Sequence, residues 1–153
     1  MRKQTIPKIL MVEDDINNQQ LFKEVLEGAG LQTLILASAD GDLVAFVADY
    51  EPDIISMDLM IGGSDGVETE RDGMEALELL KSNKQTKDIP IFILTSFYEG
   101  GKVELAKSLG ATDYISLQGQ TISNVPGIFL RYMSDPKNMY QATLCLGQVR
   151  VIV

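Results

Sequence analysis

Residues Ile9-Leu10-Met11-Val12-Glu13-Asp14-Asp15 decide the fold. Four consecutive apolar side chains leave no polar face for solvent, as in a strand buried on both sides of a parallel sheet. Three carboxylates then stop the run at once. The same form recurs in Asp53-Ile54-Ile55-Ser56-Met57-Asp58, behind Pro52, and in Pro90-Ile91-Phe92-Ile93-Leu94-Thr95-Ser96. Each run ends in side chains that offer oxygen.

Between these runs the apolar residues take helical spacing. Leu21, Phe22, Val25 and Leu26 predict a first helix, ended by Gly28 and Gly30. Thr33 to Ala37 reads as a second strand, and Leu43, Val44, Phe46 and Val47 lie on a second helix. Met74 to Asn83 predicts a third helix with Leu77, Leu79 and Leu80 facing inward. Val103 to Leu109, closed by Gly110, is the fourth; Tyr114-Ile115 is a short fifth strand. Ile122 to Met133 predicts a fifth helix, against which Pro126 and Gly127 count. This alternation implies an α/β fold: a parallel sheet with helices on both faces and right-handed crossovers. Sites in such sheets form at the carboxyl ends of the strands. Glu13-Asp14-Asp15, Asp58 and Thr95-Ser96 should therefore converge on one edge.

Composition narrows the chemistry. A chain of 153 residues, 45% hydrophobic and 23% charged, suits one ordinary globular domain. It has no histidine, which excludes a Ser-His-Asp triad, histidine-liganded zinc and an imidazole base. The net charge of −9 speaks against nucleic acid as a partner. The one cysteine, Cys145, has no internal disulfide partner, which fits a reducing compartment. No leader-like segment follows Met1, and no apolar run approaches the roughly 18 residues of a membrane helix. The expected setting is cytoplasmic, with no membrane partner.

Several carboxylates in one pocket repel, at roughly 4 kcal/mol for a pair 4 Å apart at an effective dielectric of 20. They call for a cation or for raised pKa values. Oxygen donors without histidine or cysteine favour Mg²⁺ or Mn²⁺, ions that also bind phosphate oxygens. Phosphoryl chemistry follows, with Asp58 as nucleophile and Thr95 as hydrogen-bond donor. Helix capping competes as an explanation for Asp15 and, less well, for Glu13 and Asp14. It explains Asp58 poorly, because Leu59-Met60-Ile61 does not open a helix.

Five ordered segments carry a resemblance: residues 9–15, 53–58, Asp72-Gly73-Met74-Glu75-Ala76-Leu77, 89–96 and Gly110-Ala111-Thr112-Asp113-Tyr114-Ile115. Together they resemble the receiver domain of two-component response regulators. The resemblance implies a flavodoxin-like sheet in the order 2-1-3-4-5, with the domain over 6–135 and a C-terminal extension over 136–153. It implies that Asp58 is the phosphoacceptor and that Mg²⁺ or Mn²⁺ is held by Glu13, Asp14, Asp58 and the Met60 backbone carbonyl. Thr95 matches the switch hydroxyl and Tyr114 the switch aromatic. A histidine kinase or phosphotransfer protein would donate the phosphoryl group. A downstream target would read the face of helix four, strand five and helix five, through a shifted equilibrium. That face, or the tail, would serve any homodimer. A receiver is a signalling domain, not an enzyme in the usual sense.

Two departures stand out. Where the family has a lysine after strand five, this chain has Leu117, and no lysine lies between Lys107 and Lys137. Gln118 or Gln120 would offer only a neutral hydrogen bond. The loop after Asp58 is also long and carries two Asp-Gly-X-Glu copies, at Asp65 and Asp72, 72 − 65 = 7 residues apart. Such an insert either extends helix three or forms a loop; Gly62, Gly63 and Gly66 favour the loop. Met60 and Phe97 occupy positions that tune water access in the family, and neither can orient an attacking water. The tail, with Ala142 to Leu146 and Val149 to Val153 rich in β-formers, predicts a docked extra strand. Two other readings compete: a pseudo-receiver that binds partners without phosphorylation, and a haloacid-dehalogenase-type phosphatase. The latter needs a second carboxylate where this chain has Met60.

Overall fold

The computed structural model describes residues 5–61, 69–96, 99–118 and 121–134. In chain order these form β1 (Lys8–Val12), α1 (Ile16–Gly28), β2 (Gln32–Leu36), α2 (Leu43–Tyr50), β3 (Ile54–Met57) and α3 (Gly73–Ser82). Then follow β4 (Ile91–Thr95), α4 (Gly100–Ser108), β5 (Asp113–Ser116), a 3-10 turn over Ile122–Asn124 and α5 (Val125–Ser134). The strands form one parallel sheet in the order 2-1-3-4-5, as the resemblance implies.

Alternation along each strand divides the core in two. Leu10, Val12, Ile55, Met57, Ile91, Ile93 and Tyr114 face Leu43 and Val47 of α2, Ala76, Leu77 and Leu80 of α3, and Val103 and Ala106 of α4. Ile9, Met11, Ile54, Phe92, Leu94 and Ile115 face Phe22 and Leu26 of α1 and Val125, Ile128 and Phe129 of α5. Both faces are covered, so the strands read as unbroken apolar runs. Phe92 meets Phe129 edge-on at 5.1 Å between ring centres.

Helix starts follow local chemistry. Asp15 caps α1, accepting from the Asn18 amide at 2.9 Å, and Asp42 caps α2 from Ala45 at 3.1 Å. The capping explanation of Asp15 is therefore right. Asp72 caps α3 in a reciprocal box: its side chain accepts from Glu75 N–H at 2.8 Å, and Glu75 accepts from Asp72 N–H at 3.1 Å. The helix starts at Gly73, and the described residues just before it are not helical. Pro126 is the second residue of α5, where a missing N–H costs nothing.

Several details differ from the sequence reading, among them that α5 begins at Val125 rather than Ile122. β2 stops at Leu36 rather than Ala37, and β3 begins after Asp53. α4 begins at Gly100, three residues before the apolar spacing starts at Val103. Leu79 is only half-buried, because it lies beside the buried stripe of Ala76, Leu77 and Leu80. The predicted tail strand, Cys145, the segment 62–68 with the first Asp-Gly copy, Phe97 and Gln120 lie outside the described residues.

Candidate functional site

The sheet register carries the polar residues to one edge. Val12 stands opposite Leu36 on one side and Met57 on the other. The ladder continues one step further: Glu13 N–H donates to Leu36 O at 2.9 Å and Asp58 N–H to Val12 O at 3.1 Å. On the other side Thr95 pairs with Ser116, and Leu117 N–H donates to Thr95 O at 2.9 Å. The reacting groups thus sit on rigid backbone rather than on free loops.

Carboxylate oxygens of Glu13, Asp14 and Asp58 lie within 4.8 Å of one another. Glu13 and Asp58 are buried and Asp14 is half-buried. Burial, then a hydrogen bond from Glu13 to Asp58 and the Asp58 charge, raise the Glu13 pKa from 4.5 to about 8. Donors on α1 oppose this. Glu13 Oε1 accepts from Asp15 N–H at 3.2 Å and from the Asn18 side-chain amide at 3.4 Å. Gln19 Nε2 holds the Glu13 carbonyl at 2.7 Å. Buried carboxylates this close, with the Glu13 pKa pushed up, mark a place where a hard cation would sit. The donor set of three carboxylates fits Mg²⁺ or Mn²⁺.

Asp58 is steadied from its own chain, since Met60 N–H donates to Asp58 Oδ1 at 3.0 Å. The Met60 side chain points outward and is 57% exposed. Thr95 ends β4 with only 1% exposure. Tyr114 is equally buried and packs in the α2–α3–α4 half of the core. Leu117 turns its half-buried side chain into the α1–α5 half of the core. Gln118 is exposed, with its N–H on Ser116 Oγ at 3.2 Å.

Sequence reasoning missed three features. Asn18 and Gln19 support the acidic pair from α1; polar residues near a helix start gave no sign of it. Glu70 and Arg71 fasten the end of the insert to the β2–α2 loop. Asp40 Oδ1 accepts from Glu70 N–H at 2.8 Å, Gly41 N–H donates to Glu70 Oε2 at 3.0 Å, and Arg71 Nη1 reaches Ala39 O and Gly41 O, both at 2.8 Å. These bonds span about thirty positions, so no local pattern reveals them. The third feature is Gly73, which abuts the Asp58 backbone.

A doubly wound parallel sheet with an acidic trio at its carboxyl edge defines the class as a flavodoxin-like α/β domain, and comparison makes this specific. Residues 9–120 match the response regulator receiver domain. The chain belongs to that family, the receiver domains of two-component signalling. It is 28% identical over 108 residues to the polar-differentiation response regulator DivK of Brucella ovis, covering 71% of this chain and 81% of that protein. Among solved structures it is similar to the Mn²⁺-bound response regulator Rcp1, with TM-score 0.67, 25% identity and coverage of 84% and 96% of the two chains. The BeF3-activated receiver domain of Klebsiella pneumoniae RstA gives 0.65, 26% identity and coverage of 80% and 96%.

Proposed function

We propose that this domain is a response regulator that accepts a phosphoryl group on Asp58 from a partner's phosphohistidine. The convergence of Glu13, Asp14 and Asp58 at the sheet edge carries this reading. Asp58 supplies a carboxylate oxygen to phosphorus, the bond to the donor imidazole breaks, and the imidazole nitrogen leaves with its electron pair and takes up a proton. A bound Mg²⁺ or Mn²⁺ would neutralise charge on the phosphoryl oxygens. Glu13, Asp14, Asp58 and the Met60 carbonyl would hold it. Glu13 must release its proton for that, and the Asn18 amide and Asp15 N–H favour the ionised form. Thr95 donates to a phosphoryl oxygen, and Tyr114 couples that event to the face of α4, β5 and α5. The domain extends over 6–135, with 136–153 as an extension, and its partners are a histidine kinase or phosphotransfer protein and a downstream target, in a cytoplasmic setting.

The test is incubation with Mg²⁺ and acetyl phosphate or beryllofluoride, with Asp58→Asn as control. A mass gain of one phosphoryl group, or beryllofluoride binding, that Asp58→Asn abolishes supports the reading. One observation favours a second reading, a pseudo-receiver that binds its target unphosphorylated: Leu117 packs into the core where a lysine would reach the phosphoryl group. No response to either reagent would select it.

A further inference from the structure

Gly73 opens α3 directly behind its Asp72 cap and lies against the phosphoacceptor's backbone. A β-carbon at this position would stand 2.0 Å from the Asp58 carbonyl oxygen, 2.7 Å from Leu59 Cα and 2.8 Å from the Asp58 carbonyl carbon. Ordinary contact between such atoms is about 3.5 Å. All three are backbone atoms, so no side chain can swing aside. Gly73 N–H also points at Leu59 O, at 3.4 Å.

Both sides of this contact are held: Leu59 and Ile61 of the turn are buried in the same half of the core as α3. Ala76, Leu77 and Leu80 of α3 are fully buried. The Asp72–Glu75 box and the Arg71 bonds hold the first turn from the other end. The Asp58–Met60 turn lies beyond the last residue of β3. Its hydrogen bonds are Asp58 N–H to Val12 O, Met60 N–H to Asp58 Oδ1 and the long one from Gly73 N–H to Leu59 O. A larger residue at 73 must therefore part the start of α3 from the turn, because the 2.0 Å approach to the Asp58 carbonyl oxygen leaves no room for it. That turn carries both the Asp58 carboxylate and the Met60 carbonyl.

We propose that Gly73 is a positioning residue for Asp58: its missing side chain sets where that carboxylate stands relative to Glu13 and Asp14. It thereby controls divalent-cation affinity and the rate of phosphoryl acceptance. The inference rests on the reading of Asp58 given above and adds a residue that touches neither cation nor phosphoryl group. The Asp-Gly-X-Glu copy at Asp72 is thereby seated on Asp58.

The test compares the full chain with Gly73→Ala and with Gly101→Ala. A β-carbon at Gly101, within α4, meets nothing within 4 Å. Mn²⁺ titration, labelling by acetyl phosphate and the Met60 amide resonance are measured on each. Gly73→Ala, folded by circular dichroism, is expected to bind Mn²⁺ about 10- to 100-fold more weakly, as supporting-residue changes at metal sites do. Its labelling should fall about 100-fold, the effect of a misplacement near 1 Å. Gly101→Ala should match the parent. Parent-like affinity and labelling in Gly73→Ala would overturn the proposal. If the parent itself binds no Mn²⁺, the phosphoacceptor reading fails separately, and an unmoved Met60 resonance in Gly73→Ala then overturns the positioning role too. If Gly73→Ala does not fold, Glu75→Ala, which loosens the first turn of α3 and with it the seat of Gly73 on Asp58, decides: weaker Mn²⁺ binding supports the role, and unchanged binding overturns it.

Discussion

On the reading proposed above, Leu117 takes the position of a receiver's lysine; its side chain packs in the α1–α5 half of the core. Its backbone N–H is held on Thr95 O at 2.9 Å. Leu117→Lys is expected to raise labelling of Asp58 by acetyl phosphate by on the order of 100-fold, the scale of one electrostatic donor at a transition state. A rate unchanged from the parent would show that the cation is dispensable here. Glu13 gives a second expectation. The folded state holds its proton up to about pH 8, while an ordinary carboxyl loses it near 4.5. The folded state thus binds more protons across that window. Stability from this group is complete below about pH 4.5 and is lost as pH rises through about 8. Mg²⁺ replaces the proton, so it should raise the melting temperature more at pH 8 than at pH 5. Melting curves at both pH values, with and without Mg²⁺, check this. Hydrolysis of the acyl phosphate should be slow, because the exposed Met60 cannot orient a water; a half-life of seconds would contradict it.

At the scale of elements, the ends of strands and helices matter more than their interiors. α3 is held at its start by the Asp72–Glu75 box and by the Arg71 clasp on the β2–α2 loop. Arg71→Ala removes a charge-assisted donor from two carbonyls, and a cost of about 1–2 kcal/mol is expected. The melting temperature should fall by roughly 2–8 °C, at 2–4 °C per kcal/mol for a domain near this size. A melt within about 1 °C of the parent, at most about 0.5 kcal/mol on that scale, would show that the clasp adds nothing. The start of α4 was not legible in sequence: Gly100 and Gly101 carry no apolar side chain, so the helical spacing appears only from Val103. Asp15 was legible in kind, since a short carboxylate ahead of an amphipathic run caps the helix.

At the scale of the molecule, the fold gathers negative charge that a cation would relieve. The chain carries −9 net, and three of its carboxylates meet in one pocket. Mg²⁺ at 100 times its dissociation constant should stabilise the domain by about 2.7 kcal/mol. Asp58→Asn should lose most of that gain, which denaturant titration measures directly. Among the described residues no helix is long and apolar enough to cross a membrane.

The sequence by itself determined the element order, the parallel sheet and the residues offered at its edge. Apolar runs broken by carboxylates and a hydroxyl reflect burial and strand direction, which are local properties. The tertiary structure alone decided how those residues meet. That Glu13, Asp14 and Asp58 meet within 4.8 Å, that Leu117 turns into the core, that Arg71 clasps the β2–α2 loop and that Gly73 must be bare all depend on distances between distant segments. Such distances follow from packing two faces against one sheet, and no spacing within a single segment records them.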